Sequence, residues 1–147
     1  MLDVSLPALT MLVQIVTNLV TIDHINYSGY MDTHEELYCL AINSYHEARG
    51  EPFDDKLATA QVVMNRVDSV RYPDNICDVI TDGPIRESWK TKQDIELDAL
   101  DRVYYPIRHR CQFSWYCDGR SDVIHSLDGW EDSVIAAFLV YTGFGED

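Results

Sequence analysis

The sequence predicts a mainly α-helical single domain with room for a minimal β-hairpin. Three observations carry that expectation. Apolar residues recur at three- and four-residue steps in several segments, glycine and proline stand between those segments, and strand-like alternation is scarce. At 147 residues the chain can bury one sizeable core.

At the N-terminus, Leu6 to Val20 is apolar-rich, but Pro7, Thr10, Gln14, Thr17 and Asn18 interrupt it. A bilayer span needs roughly 20 predominantly apolar residues, so no stable membrane span is expected. The opening Met1-Leu2-Asp3-Val4 lacks the basic start of a secretory signal. Residues 1–30 therefore read as an apolar helical segment packed on a domain of residues 31–147. After a loop near Tyr27-Ser28-Gly29-Tyr30, Thr33-His34-Glu35-Glu36 has the form of a capping box. Leu37, Leu40, Ala41, Ser44, Tyr45 and Ala48 then form one helical face, and Gly50 suits the left-handed position after a helix.

Pro52 and the acidic pair Asp54-Asp55 suit the first turn of the next helix. Leu57, Ala60, Gln61, Met64 and Val67 continue it, with Ala58, Val62 and Val63 widening its apolar surface; a central, buried helix is expected. Arg71-Tyr72-Pro73-Asp74-Asn75 breaks the pattern before a short helix or turn over Ile76 to Ile80. Lys92 to Tyr105 reads as a further helix built on Ile95, Leu97, Leu100, Val103 and Tyr104. Gly129 to Thr142 reads as the last, built on Trp130, Val134, Ala137, Phe138 and Tyr141.

The formal net charge of -14 argues against a nucleic-acid partner, whose phosphates demand Lys and Arg, and against docking on anionic surfaces. A polymer partner would have to be gripped by hydrogen bonds and aromatic faces. The cysteines at 39, 77, 111 and 117 lack a CxxC pair, and the histidines show no ligand spacing, so no metal or other cofactor is expected. Cys39, inside a helical pattern, reads as a buried thiol. A disulfide among Cys77, Cys111 and Cys117 suits work outside the cytoplasm, with the pairing open.

The string most suggestive of chemistry is His46-Glu47-Ala48-Arg49-Gly50-Glu51. Glu47 falls in the last turn of its helix, where negative charge is disfavoured by about 0.3–1 kcal/mol when exposed. Burial against aromatic neighbours would raise its pKa further, and a carboxyl protonated near neutrality is what a general acid needs. Arg49 is expected to pair with Glu51 or a backbone carbonyl and brace the turn. A second string, Cys111-Gln112-Phe113-Ser114-Trp115-Tyr116-Cys117-Asp118-Gly119, offers hydroxyl and amide groups for N-acetyl sugars (Gln112, Ser114), flat faces for sugar rings (Trp115, Tyr116) and a tight turn. No nucleophile elbow is present.

Taken together, these strings resemble the cell-wall hydrolase family that includes the spore cortex-lytic enzymes. The resemblance spans roughly Leu37 to Thr142. Its blocks are Leu40-Ala41 through Glu47 to Pro52 and on to Asn65-Arg66-Val67, then Cys77-Asp78-Val79-Ile80, then the run at 111–119. It implies a small, mainly helical lysozyme-like domain that cleaves peptidoglycan glycan strands at the bacterial wall or periplasm. By position Glu47 matches the family's catalytic glutamate. Gln112, Ser114 and Trp115 would position the glycan, with Glu51 in support.

One convincingly placed acid suits lytic transglycosylase chemistry, in which the substrate's own 6-hydroxyl attacks C1. A hydrolytic muramidase would need Glu51, Asp54 or Asp118 to activate water. A zinc amidase lacks its ligands here, and a glycan-binding module that has lost catalysis is the rival of another class. The short layout suits a monomeric phage lysis protein. Three departures stand out: Asp55-Lys56 replaces the family's usual Gly-Gln, residues 83–110 are longer than in compact members, and residues 143–147 stand where a Gly-Ala-x-x-Tyr/Phe-His segment commonly follows. The last departure leads to an expectation of weakened substrate grip.

Overall fold

The computed structural model describes residues 28–143; the apolar stretch from Leu6 to Val20 lies outside them. The described chain is mainly helical with one small hairpin. Its elements are α1 (Ser28–Glu47), α2 (Phe53–Val67), α3 (Ile76–Ile80), β1 (Ile85–Glu87), α4 (Trp89–Lys92), β2 (Tyr104–Pro106) and α5 (Leu127–Thr142), with 3-10 turns at Ala99–Asp101 and Ser114–Cys117. They fall into two compact units. One holds α1, α2, α3 and α5; the other is Thr81–Asp122.

In the helical unit α1 packs against α2, α3 and α5, and α2 against α5. Every residue from Leu37 to Tyr45 is buried, so α1 is the central helix. The expectation that α2 would hold that place was wrong. On α2 only Lys56, Ala60 and Val63 are buried, at spacings of four and three, while Val62 is exposed. A helix with one narrow buried stripe is a surface helix, however apolar its sequence. The core is completed by Trp130, Val134, Phe138, Val79 and Ile80. Tyr38 and Tyr45 meet the Trp130 ring edge-on at 5.8 and 6.2 Å, the arrangement that aromatic quadrupoles favour.

Local signals explain the boundaries. Gly50 has φ 77° and ends the α1 turn as expected, with Glu51 N–H donating to Ala48 O at 3.1 Å. Thr33, in contrast, lies inside α1, which begins at Ser28; it does not occupy an N-cap. The α3 start has its own reciprocal cap: Asp78 N–H donates to Asn75 Oδ1 at 2.9 Å, and Asn75 Nδ2 donates to Asp78 Oδ2 at 2.7 Å. Glu36 Oε2 accepts from Ile76 N–H at 2.7 Å and holds α3 to α1. Cys39 and Cys77 form a disulfide beside that contact, with Cα atoms 5.3 Å apart, so Cys39 is not the free thiol expected.

In Thr81–Asp122, β1 and β2 pair antiparallel, Arg86 opposite Tyr105. The helix expected over Lys92 to Tyr105 does not form. Its apolar residues carry helical spacing without a surface to cover: Ile95 is 90% and Leu100 98% exposed. The chain instead wraps around the Arg102 guanidinium, which donates to the Glu87 carboxylate and to the carbonyls of Thr91, Asp94 and Leu97 at 3.0–3.1 Å. A Cys111–Cys117 disulfide closes the Ser114 turn. Gly119 has φ 78°, the tight turn anticipated for Asp118-Gly119. No helix among the described residues is long and apolar enough to cross a membrane.

Candidate active site

Glu47 is the last residue of α1, held in place by its buried neighbours Tyr45 and Ala48. The Tyr45 hydroxyl accepts from the backbone N–H groups of His125 (2.8 Å) and Ser126 (3.1 Å) and thereby ties this end of α1 to the start of α5. Ser126 caps α5 through its hydroxyl, which accepts from Gly129 N–H at 3.1 Å. A Cβ at residue 129 would come within 3.3 Å of that hydroxyl and 3.5 Å of the Tyr45 ring, so glycine keeps the approach open.

The residue Glu47 is exposed overall, yet its carboxyl has lost enough hydration to raise its pKa above the ordinary 4.5. The Arg66 guanidinium on α2 acts against that rise without cancelling it. The direction is the one a general acid requires.

The turn after Glu47 is braced from below by a residue that the sequence did not single out for it. Lys56 is only 5% exposed, and its ammonium donates to Ala48 O at 3.2 Å and Glu51 O at 3.0 Å. Ser44 Oγ, also buried, donates to the Lys56 carbonyl at 3.3 Å. Arg49, expected in this role, instead lies over the Tyr45 ring, 5.8 Å from its centroid. The only available signal was indirect: a turn with exposed-looking carbonyls and a lysine one helical turn into the next helix.

Beside the turn is a cavity of about 200 Å³ walled by Tyr45, Arg49, Glu51, Lys56, Ser126 and Gly129. Glu51 therefore lines a cavity close to the catalytic candidate, while Glu47 stands outside its walls. Asp54 is exposed on the first turn of α2.

The other candidates belong to Thr81–Asp122. Gln112 is exposed, its backbone N–H donating to Asp82 O at 3.0 Å; Ser114 is exposed at the start of its 3-10 turn. Trp115 is half-buried and meets Tyr116 edge-on at 6.0 Å. Asp118 accepts from Arg120 N–H at 2.8 Å. The Asp122 carboxyl is held above its ordinary range, first by lost hydration and then by the neighbouring Asp118 charge. No group of His, Cys, Asp and Glu among the described residues could hold a metal ion.

These features sit in a chain that belongs to the cell wall hydrolase family, whose pattern matches residues 50–143. Glu51 and the 111–119 run fall within that stretch; Glu47 lies just outside it, before Ala48 and Arg49. The spore cortex-lytic enzyme of Oceanobacillus iheyensis is 40% identical over 105 residues, 71% of this chain and 31% of the relative. That of Halalkalibacterium halodurans is 43% identical over 53 residues (36% and 16%), and that of Bacillus subtilis 32% over 79 residues (47% and 26%). The chain thus spans less than a third of the length of each. No solved structure matches it.

Proposed function

We propose that this protein degrades peptidoglycan by cleaving the glycan strand between N-acetylmuramic acid and N-acetylglucosamine, as a lytic transglycosylase. The observation that carries the reading is Glu47: a carboxyl at a helix C-terminus, partly stripped of water and raised in pKa, in a cell wall hydrolase family member. Protonated Glu47 donates to the glycosidic oxygen as the C1–O bond breaks. The same carboxylate then takes the proton of the muramic 6-hydroxyl as that oxygen bonds to C1. The products are a 1,6-anhydro end and a free 4-hydroxyl; no water is consumed, and Glu47 ends protonated as it began.

Gln112, Ser114 and Trp115 are assigned to glycan positioning, and Glu51 to the cavity wall beside the acid. Action at the cell wall fits the two disulfides, which persist in oxidising compartments. The test is mass spectrometry of muropeptides released from purified sacculi, run beside Glu47→Gln. Anhydro ends lost in the variant support the reading. Reducing ends would replace it with a hydrolytic muramidase, and binding without release would replace it with a glycan-binding module.

A further inference from the structure

The acidity of the chain is unevenly spread. Thr81–Asp122 holds seven of the eleven Lys and Arg residues but only eight of the twenty-five acidic ones. Nearly all of the negative excess therefore lies in the helical unit, and the hairpin unit is close to neutral with its cations gathered in places.

One such place is the hairpin face. Arg86 and Tyr105 are directly opposed in the β1–β2 register, so their side chains share one side of the sheet. With Trp89, Lys90, Ile107 and Arg108 they line an open groove of about 660 Å³. Trp89 is 64% and Tyr105 59% exposed, which leaves two aromatic surfaces facing solvent. The side chains of Arg86 and Lys90 have no partner among the described residues. The acid on this wall, Glu87, is already neutralised: its carboxylate accepts from Arg102 and from Thr91 Oγ1, each at 3.0 Å. The same Arg102 holds the adjoining loop by its carbonyls, so the groove is built before any ligand arrives.

Unpaired cations flanking exposed aromatic rings suit a ligand with both flat apolar faces and carboxylates. Sugar rings stack on indole and phenol, and a guanidinium takes a carboxylate in a two-point grip. We propose that this groove is a binding site for a muropeptide. Its N-acetyl sugars rest on Trp89 and Tyr105, and its stem-peptide carboxylates pair with Arg86 and Lys90. The proposal rests on the peptidoglycan reading for its choice of glycan, and on charge complementarity for the stem.

Calorimetry with the full chain carrying Glu47→Gln, which spares the ligand, tests it. The probes are a disaccharide tetrapeptide muropeptide, the same compound with its carboxylates amidated, and neutral chitotetraose. The Arg86→Gln/Lys90→Gln variant should bind the muropeptide about tenfold more weakly, and both carboxylate-free probes within about twofold of the parent. Trp89→Ala should weaken all three. These side chains are exposed, so the circular dichroism spectrum should not change. Unchanged muropeptide affinity in both variants overturns the site. So does preferential binding of a glycerol-phosphate oligomer, or self-association abolished by Trp89→Ala. Groove variants that bind normally while wild type releases anhydro products sink the groove alone. Charge-dependent binding in the groove with no cleavage by wild type sinks the catalytic reading alone.

Discussion

The two units keep their order by different physical means. Among the described residues, twenty apolar side chains are buried in the helical unit; in Thr81–Asp122 only Phe113 and Cys117 are. The first is held by apolar packing of long-range partners, the second by hydrogen bonds radiating from Arg102, a short disulfide and a three-residue strand pair. Hydrophobic packing spreads stability over many contacts and tolerates surface change. A polar hub concentrates it in one side chain, and leaves the apolar residues around it free to face solvent, where Trp89 and Tyr105 are found. Catalytic precision is accordingly expected of the helical unit and recognition of the other.

The comparison can be broken most severely at Glu47. Glu47→Gln should lower sacculus cleavage by roughly 10²–10⁴-fold, the usual worth of a general acid/base, with folding intact; an unaffected rate would remove catalysis from the helical unit. Trp130→Ala should cost about 3–5 kcal/mol and unfold that unit cooperatively, as read by thermal denaturation. Removing the two disulfides by Cys→Ala pairs should cost the two units unequally. In the chain-entropy relation the 38-residue loop of Cys39–Cys77 is worth about 4 kcal/mol and the six-residue loop of Cys111–Cys117 about 2 kcal/mol. Equal losses in chemical denaturation would mean that the second unit is more cooperative than its sparse core suggests.

Smaller effects sharpen the contrast. Lys56→Met strips a donor from two carbonyls of the turn and should cost about 1–3 kcal/mol, while Lys56→Gln, which keeps an N–H donor on a shorter stem, should restore part of it. The smallest effect is a pH dependence. The pKa of Glu47 is raised by folding, so its contribution favours the native state below the ordinary value of 4.5 and is lost as pH rises through the folded value. Glu47→Gln should therefore be slightly more stable than wild type at neutral pH, with the difference vanishing in acid. Cleavage should fall over the same rise in pH, as the acid form is lost.

The helices of the first unit were legible because periodicity and punctuation agree with burial there: Gly50, Pro52 and the Asn75 break all fall where the chain turns. The segment from Lys92 to Tyr105 was misread because Ile95, Leu100 and Val103 have helical spacing but no partner surface. Spacing reports what a helix could bury and says nothing of whether anything lies opposite. Asp94 does mark a local turn, its carboxylate accepting from Glu96 N–H at 3.1 Å. The place of Glu47 at a helix end was legible from the glycine stop that follows it. Lys56 was not, since a lysine near a helix start is ordinarily solvated, and its burial depends on carbonyls supplied by the preceding turn. The Cys39–Cys77 pairing needed the Glu36 contact that brings α3 to α1, a tertiary fact with no local signature.

The hydroxyl of Tyr45 has a consequence in time. It is satisfied by the amides of His125 and Ser126, which follow it by 80 and 81 residues. During synthesis the helix bearing Glu47 emerges before α5, and the Tyr45 hydroxyl at its end finds these partners only when the start of α5 has been delivered. The Lys56 brace of the turn comes from neighbouring sequence, whereas the Tyr45 anchor has to wait for the later segment. A nascent chain halted before that point carries Glu47 without the two amides that pin the end of its helix.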